Sequence, residues 1–227
     1  ILVGTHAMFQ SDVSFANLAL TVIDEQHKFG VHQRLNLQAK GHGVDLLVMT
    51  ATPIPRTLMM TSYGDMDVSR LTEKPAGRQL VNTVVLPIER FGDVVIAIKR
   101  GITSGGRVYW VCPLVDESRS VDLAAAEERF ATLETYFGSR VGLVHGRLNE
   151  AKRDSTMSDF ANGQLDILVA TTVIEVGVDV PEATIMVIEQ AERFGLAQLH
   201  QLRGRVGRSD KPSSCLLLYA TPLTKTA

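Results

Sequence analysis

The sequence predicts an α/β protein with parallel sheets, laid out as two unequal copies of one plan. Short apolar runs rich in Val, Ile and Leu recur along the chain, each closing on polar residues or glycine. Amphipathic stretches lie between several of them, and continuous apolar strands alternating with such helices call for a sheet covered on both faces. The runs also repeat. ILVGT at 1–5 matches ILVAT at 167–171, TVIDEQHKFG at 21–30 matches MVIEQAERFG at 186–195, and LLVMTATPI at 46–54 matches CLLLYATPL at 215–223. The three matches fall in the same order at nearly one spacing, the mark of a duplicated α/β domain.

Taken in order, strands are expected at 1–3, 20–23, 46–49, 83–86, 108–112, 142–144, 167–170, 185–188 and 215–219. A helix is expected over 122–137, where Ala126, Phe130, Leu133 and Phe137 share one face at helical spacing. A second, over 150–162, follows a cap at Asn149, buries Met157, Phe160 and Ala161, and stops at Gly163. The segment EKPAGRQ at 73–79 carries proline and glycine between two periodic stretches, so a first domain is assigned to 1–78 and a second to 79–227. RVYWVCPLV at 107–115 precedes the ILVAT strand of the second copy, whereas the first copy starts at ILVGT with no counterpart. The first domain is therefore expected to be truncated at its N-terminus and the second complete.

Composition narrows the classes. With 45% hydrophobic and 21% charged residues the chain is expected to be a soluble globular protein with a packed core. A net charge of −2 provides no global basic field, so any contact with nucleic acid has to be local. Cys112 and Cys215 lie far apart inside apolar runs, which reads as a reduced, cytoplasmic protein with neither a disulfide framework nor a zinc site. No apolar run approaches the length of a membrane span, and a membrane partner is not expected.

In a parallel sheet, ligands bind beyond the carboxyl ends of the strands. The strand at 20–23 ends in Asp24-Glu25, which suits a Mg²⁺ held through water and a base for an attacking water; a solvated acidic pair is the plain alternative. The repeat has Glu189-Gln190 at this place, so only one copy is expected to keep the chemistry. TATPIPRT at 50–57 offers the hydroxyls of Thr50 and Thr52, or is simply a stiff turn. ATTVIEVGVDVP at 170–181 sets Thr171 and Thr172 at a strand end, then Gly177 and Asp179. These residue types suit phosphate and ribose oxygens, or cap the strand end. QLRGRVGR at 201–208 is the most specific stretch: three arginines with two glycines and no acid among them, as a developing phosphoryl charge requires.

The words DEQH, TATPIPRT, TTVIEVGVDVP and QLRGRVGR, in this order and spacing, resemble motifs II, III, V and VI of superfamily 2 helicases. VIDEQHKFGVHQR, MTATPIPRTL, YGDMDVS and AERFGLAQLHQLRGRVGR narrow the resemblance to the bacterial branched-DNA helicases, over essentially the whole chain. The transcription-repair coupling translocases share TATPIPRTL but usually read DEEQRFG where this chain has DEQHKFG. The resemblance implies two RecA-like domains, ATP with Mg²⁺ as cofactors, branched or forked DNA as partner, and a monomeric, nucleoid-associated parent protein.

Carried onto this chain, the resemblance makes Asp24 the Mg²⁺-linked carboxylate and Glu25 the water-activating one. His27, Thr50, Thr52 and Arg56 would couple the nucleotide to the domains. Arg205 and Arg208 would reach phosphate, with Gln201 at the head of the motif, and Gly177 and Asp179 would face the nucleotide. Thr5, His6, His145, Arg147, Thr171 and Thr172 would touch the DNA backbone. Arg203 falls on no finger position and is left to packing or an internal ion pair. The chain contains no G-x-x-x-x-G-K-[ST], so the resemblance implies the activity of the longer parent, and the chain alone is expected to be inactive. A module that binds nucleic-acid backbone or a protein without catalysis is the competing reading.

Overall fold

The structure is a computed structural model, and it describes residues 1–25, 30, 36–37, 39–50, 67–73, 78–113, 119–171, 180–221 and 223. The chain forms two compact units that divide between Leu71 and Thr72.

In the first unit, β1 (Leu20–Ile23) pairs in parallel with β2 (Asp45–Val48), from Leu20↔Asp45 to Ile23↔Val48. Thr21 and Ile23 are buried while Leu20 and Val22 point outward, the alternation a strand imposes. The expected strand at Ile1–Val3 does not form. These residues are exposed and lead into a 3-10 turn at His6–Phe9. A strand needs a neighbour for its N–H and C=O groups, and the only strands among the described residues of this unit are β1 and β2, which pair with each other.

The second unit is a six-stranded, wholly parallel sheet in the order β3-β8-β7-β4-β6-β5. The strands are β3 (Asn82–Pro87), β4 (Arg107–Val111), β5 (Val141–Val144), β6 (Ile167–Ala170), β7 (Ala183–Ile188) and β8 (Ser214–Tyr219). Between them lie α1 (Phe91–Thr103), α2 (Arg119–Phe137), α3 (Glu150–Ala161) and α4 (Leu196–Arg203). Successive side chains of a strand leave by opposite faces, and the packing follows that rule. Val108 and Trp110 join Ile167, Val169 and Val187 against Ile98 of α1 and Ala126 and Leu133 of α2. Tyr109 and Val111 join Leu168, Ala170 and Met186 against Phe160 of α3 and Leu202 of α4. A sheet clothed on both faces has to be apolar on both, and no residue of β6 is left exposed.

Local chemistry sets the helix ends. The Asn149 side chain accepts from the Lys152 amide at 2.8 Å and starts α3. Gly163, at φ +78, turns the chain out of it. Arg107 then donates to the carbonyls of Phe160 and Ala161 at 3.0 and 2.7 Å, covering orphan acceptors at that helix end. Arg78 Nε donates to the Gly207 carbonyl at 2.8 Å, which ties this residue to the second unit.

The duplication seen in the sequence reappears as geometry for two of its three words. Thr21↔Leu46 in the first unit corresponds to Met186↔Cys215 in the second, and both pairs are in register. Each strand also exits through a left-handed, non-glycine residue, Glu25 at φ 52 and Gln190 at φ 48. Packing at the sheet centre carries most of the stability. Leu168 is fully buried, so Leu168→Ala is expected to cost about 2–5 kcal/mol, seen as a lower urea midpoint at unchanged slope.

Candidate functional site

Two groups of candidate residues stand at opposite edges of the second sheet. β5 and β6 are neighbours, and the Thr171 amide continues their ladder to the Val144 carbonyl at 3.3 Å. His145 and Thr171 are therefore adjacent strand ends on the carboxyl edge, with Arg147 exposed just beyond. His145 is largely buried, and its Nδ1 accepts from the Arg147 amide at 3.2 Å. That contact leaves the ring proton on Nε2, so a neutral His145 is a donor. Burial lowers its pKa; Arg147 and Lys152 add to the lowering, and Glu127 opposes it.

The arginine loop is elsewhere. α4 follows the carboxyl end of β7 and packs Leu202 into the core, and the loop after it buries Val206. Ser209 Oγ then donates to the Pro181 carbonyl at 3.1 Å, and a Cβ on Gly207 would stand 2.7 Å from Val81 Cγ2. Pro181 and Val81 precede β7 and β3, so Arg205 and Arg208 lie toward the amino edge of their own sheet. Gly207, at φ +71, is the one place here where the backbone demands glycine. The Arg205 amide donates to the Leu202 carbonyl at 3.0 Å, and Arg208 Nε reaches the Gly204 carbonyl at 3.3 Å. Gln201 is half-buried on α4.

Arg203 separates from the other two arginines. Its Nη2 is 3.1 Å from His200 Nδ1. Burial pushes the Cys215 thiol of β8 up to about 11, and the Arg203 charge opposes that rise.

In the first unit, Asp24, Glu25 and Thr50 share the carboxyl edge, because Ile23 and Val48 are register partners and the Met49 amide bonds the Ile23 carbonyl at 2.8 Å. Asp24 is exposed, and its Oδ1 accepts from the Glu25 amide at 2.8 Å. No group of three or more His, Cys, Asp or Glu placed to hold an ion occurs among the described residues. A single hard oxygen donor at a strand end fits an ion whose shell is mostly water and phosphate. Thr5 precedes the 3-10 turn that His6 opens, and both sit outside any strand. His27, Thr52, Arg56, Thr172, Gly177 and Asp179 lie outside the described residues.

One cluster escaped the reading of the sequence. Glu189, the repeat partner of Asp24, accepts from Arg129 Nε at 2.8 Å and Arg129 Nη2 at 2.6 Å. It also accepts from Trp110 Nε1 at 2.9 Å, with the Cys112 thiol at 3.9 Å. The guanidinium lies 4.6 Å from the Phe91 ring centroid and 5.6 Å from that of Trp110. Burial, and then the Glu189 charge, raises the Cys112 thiol far above its usual range, so it stays protonated and inert. Arg129 lies between Ala126 and Leu133 on the buried face of α2, and a charge at apolar spacing was the available signal.

His145 yields a pH prediction. With a folded pKa below 6.5, the unfolded chain takes the proton first. The stability this imidazole supports is complete above that value and falls as pH drops through the lower folded pKa. An NMR titration of the imidazole is expected to show a midpoint below the free-histidine value; one at or above it would contradict the burial argument.

Over its whole length the chain is 54% identical to the ATP-dependent DNA helicase RecG of Escherichia coli (strain K12), covering 34% of that protein. Over 96% of its length it is 50% identical to the RecG of Thermotoga maritima, covering 28%. The chain thus spans about a third of the length of the curated relatives it matches. The solved structure of RecG bound to a three-way DNA junction matches with a TM-score of 0.75 and 46% identity, over 99% of this chain and 29% of that one. The Mycobacterium smegmatis helicase Lhr bound to ssDNA and AMP-PNP matches with a TM-score of 0.65, over 88% of this chain and 28% of that one. At 18% identity that likeness bears on the RecA-like fold alone. The helicase conserved C-terminal domain family matches residues 93–210, more than half of the sequence. The chain belongs to the helicase conserved C-terminal domain family.

Proposed function

We propose that this chain is part of the motor core of an ATP-dependent DNA helicase that remodels branched DNA, such as forks and junctions, in recombination and repair. The observation that carries the reading is where the arginine loop stands. Arg205 and Arg208 lie toward the amino edge of their sheet, away from the carboxyl edge where a parallel sheet binds its own ligand. An arginine pair so placed stays clear of its own sheet's ligand edge, and guanidinium groups suit phosphate. Asp24 and Glu25 stand on the carboxyl edge of the first unit's sheet.

In this reading the first unit contributes the later motifs of a first RecA-like domain, and the second unit makes the second. Asp24 would hold Mg²⁺ through water, and the ion would neutralise phosphate charge. Glu25 orients the attacking water and takes its proton. Arg205 and Arg208 stabilise the charge that spreads over the transferred phosphoryl oxygens. Gln201, Gly177 and Asp179 position the nucleotide, and His27, Thr50, Thr52 and Arg56 relay its state. Thr5 and His6 on one domain, and Thr171, Thr172, His145 and Arg147 on the other, grip the sugar-phosphate backbone. A neutral His145 does so as a hydrogen-bond donor, Arg147 as a charge. The names of the relatives, DNA helicases that depend on ATP, support the substrate and the energy source. The protein would act as a monomer at the nucleoid.

The test uses the protein extended upstream to include a phosphate-binding loop. Glu25→Gln is expected to lower DNA-stimulated ATP turnover by at least a hundredfold, in line with the loss of a positioned base, and to leave DNA affinity within about twofold. Equal turnover would sink the motor reading and favour a backbone-binding module.

A further inference from the structure

We infer that the Glu189–Arg129 ion pair is the positioning device for the arginine loop: it locks the turn from which α4, and with it Arg205 and Arg208, is launched. The inference rests on the role proposed above for those two arginines, and its physical basis is independent of it. The Glu189 amide closes the β7 ladder on the Val111 carbonyl at 2.9 Å. Its side chain then takes two donors from α2 and one from β4, with Phe91 of α1 stacked beneath the guanidinium. Four elements therefore meet at the last ordinary residue before the chain leaves the sheet.

The next residue, Gln190, sits at φ 48 and ψ 52. A non-glycine residue persists in that conformation only when its surroundings over-determine it. The chain then makes one 3-10 turn, anchored where Glu192 Oε1 accepts from the Ala220 amide at 3.4 Å, and enters α4 at Leu196. From Gln190 to Arg208 the path has no further strand to guide it. The turn at Gln190 therefore fixes the start of the path, while buried Leu202 and Val206 and the Ser209–Pro181 bond hold its far end.

The first unit sharpens the argument, since it holds the same turn by other means. Glu25 has the same left-handed backbone, but the acid before it, Asp24, is exposed and accepts only its neighbour's amide among the contacts described. One methylene longer and buried, Glu189 reaches an internal guanidinium instead. In the first copy the acid stays available for chemistry; in the second an arginine has taken the cation's place, and the turn has become a mount.

Hydrogen exchange read by mass spectrometry on the 227-residue chain tests this without any ATP. Trp110 is the only tryptophan, so its emission reports directly whether the contact is lost. In Glu189→Gln, well below the unfolding temperature, amides of 196–208 are expected to exchange at least about tenfold faster, while those of 150–161 stay within about twofold. Arg129→Lys, which keeps the charge and loses the planar two-point contact, is expected to fall between; it carries the test if Glu189→Gln does not fold. Equal acceleration in both segments would mean a general loss of stability, and no acceleration would mean no mount; either result overturns the proposal. Because the readout is independent of turnover, its failure leaves the motor reading standing, and failure of the turnover test leaves the mount standing.

Discussion

The second unit depends on β4 and on the reversal of chain direction that takes place around it. From β4 the chain moves outward to β5, returns through β6, and crosses to β7 on the other side before continuing to β8. A parallel strand hydrogen-bonded on both edges and covered on both faces has to be buried throughout its interior, and Val108 to Val111 are, with Trp110 Nε1 satisfied by Glu189. The same reversal sets Thr171 and Glu189 at the carboxyl ends of the two strands that flank β4, the edge where open parallel sheets bind ligands. It also sends α4 back along the sheet, so that the arginine loop arrives at the far edge. One topological constraint thus separates the residues proposed to meet nucleic-acid backbone from those proposed to meet phosphate.

Duplication explains what chemistry each unit keeps. The two halves share strand pairing, register and the left-handed exit from the strand. They differ in what the acid at the strand end touches. Asp24 remains at the surface, while Glu189 is consumed by Arg129 and Trp110. Removing one partner of such a buried pair typically costs about 3–5 kcal/mol. In the proposed reading the second unit has exchanged a reactive edge for a rigid one, which suits a loop that presents arginines.

Much of the fold was legible because buried parallel strands are apolar runs and their helices are amphipathic. The strands β1 to β8, the cap at Asn149 and the stop at Gly163 follow from that pattern. The strand expected at 1–3 failed because an apolar run states a preference, not a partner to bond with. Of the candidate site, the adjacency of Asp24 with Thr50 and of His145 with Thr171 was implicit in strand order. The position of the arginine loop was not: motif spacing carries no information about which edge a loop returns to. Nor was the Arg129–Glu189 pair: a charge at apolar spacing marks Arg129, but nothing in the sequence says that its partner lies 60 residues away.

The central proposal is that the carboxylates Asp24 and Glu25 and the arginines Arg205 and Arg208 serve one hydrolysis reaction. A double-mutant cycle between Glu25→Gln and Arg208→Ala, read as ATP turnover in the upstream-extended protein, tests it most directly. Groups acting on one transition state are grossly non-additive, so the double variant is predicted to be about as slow as the slower single one. Losses that multiply would mean that the two residues act independently, and would contradict the account.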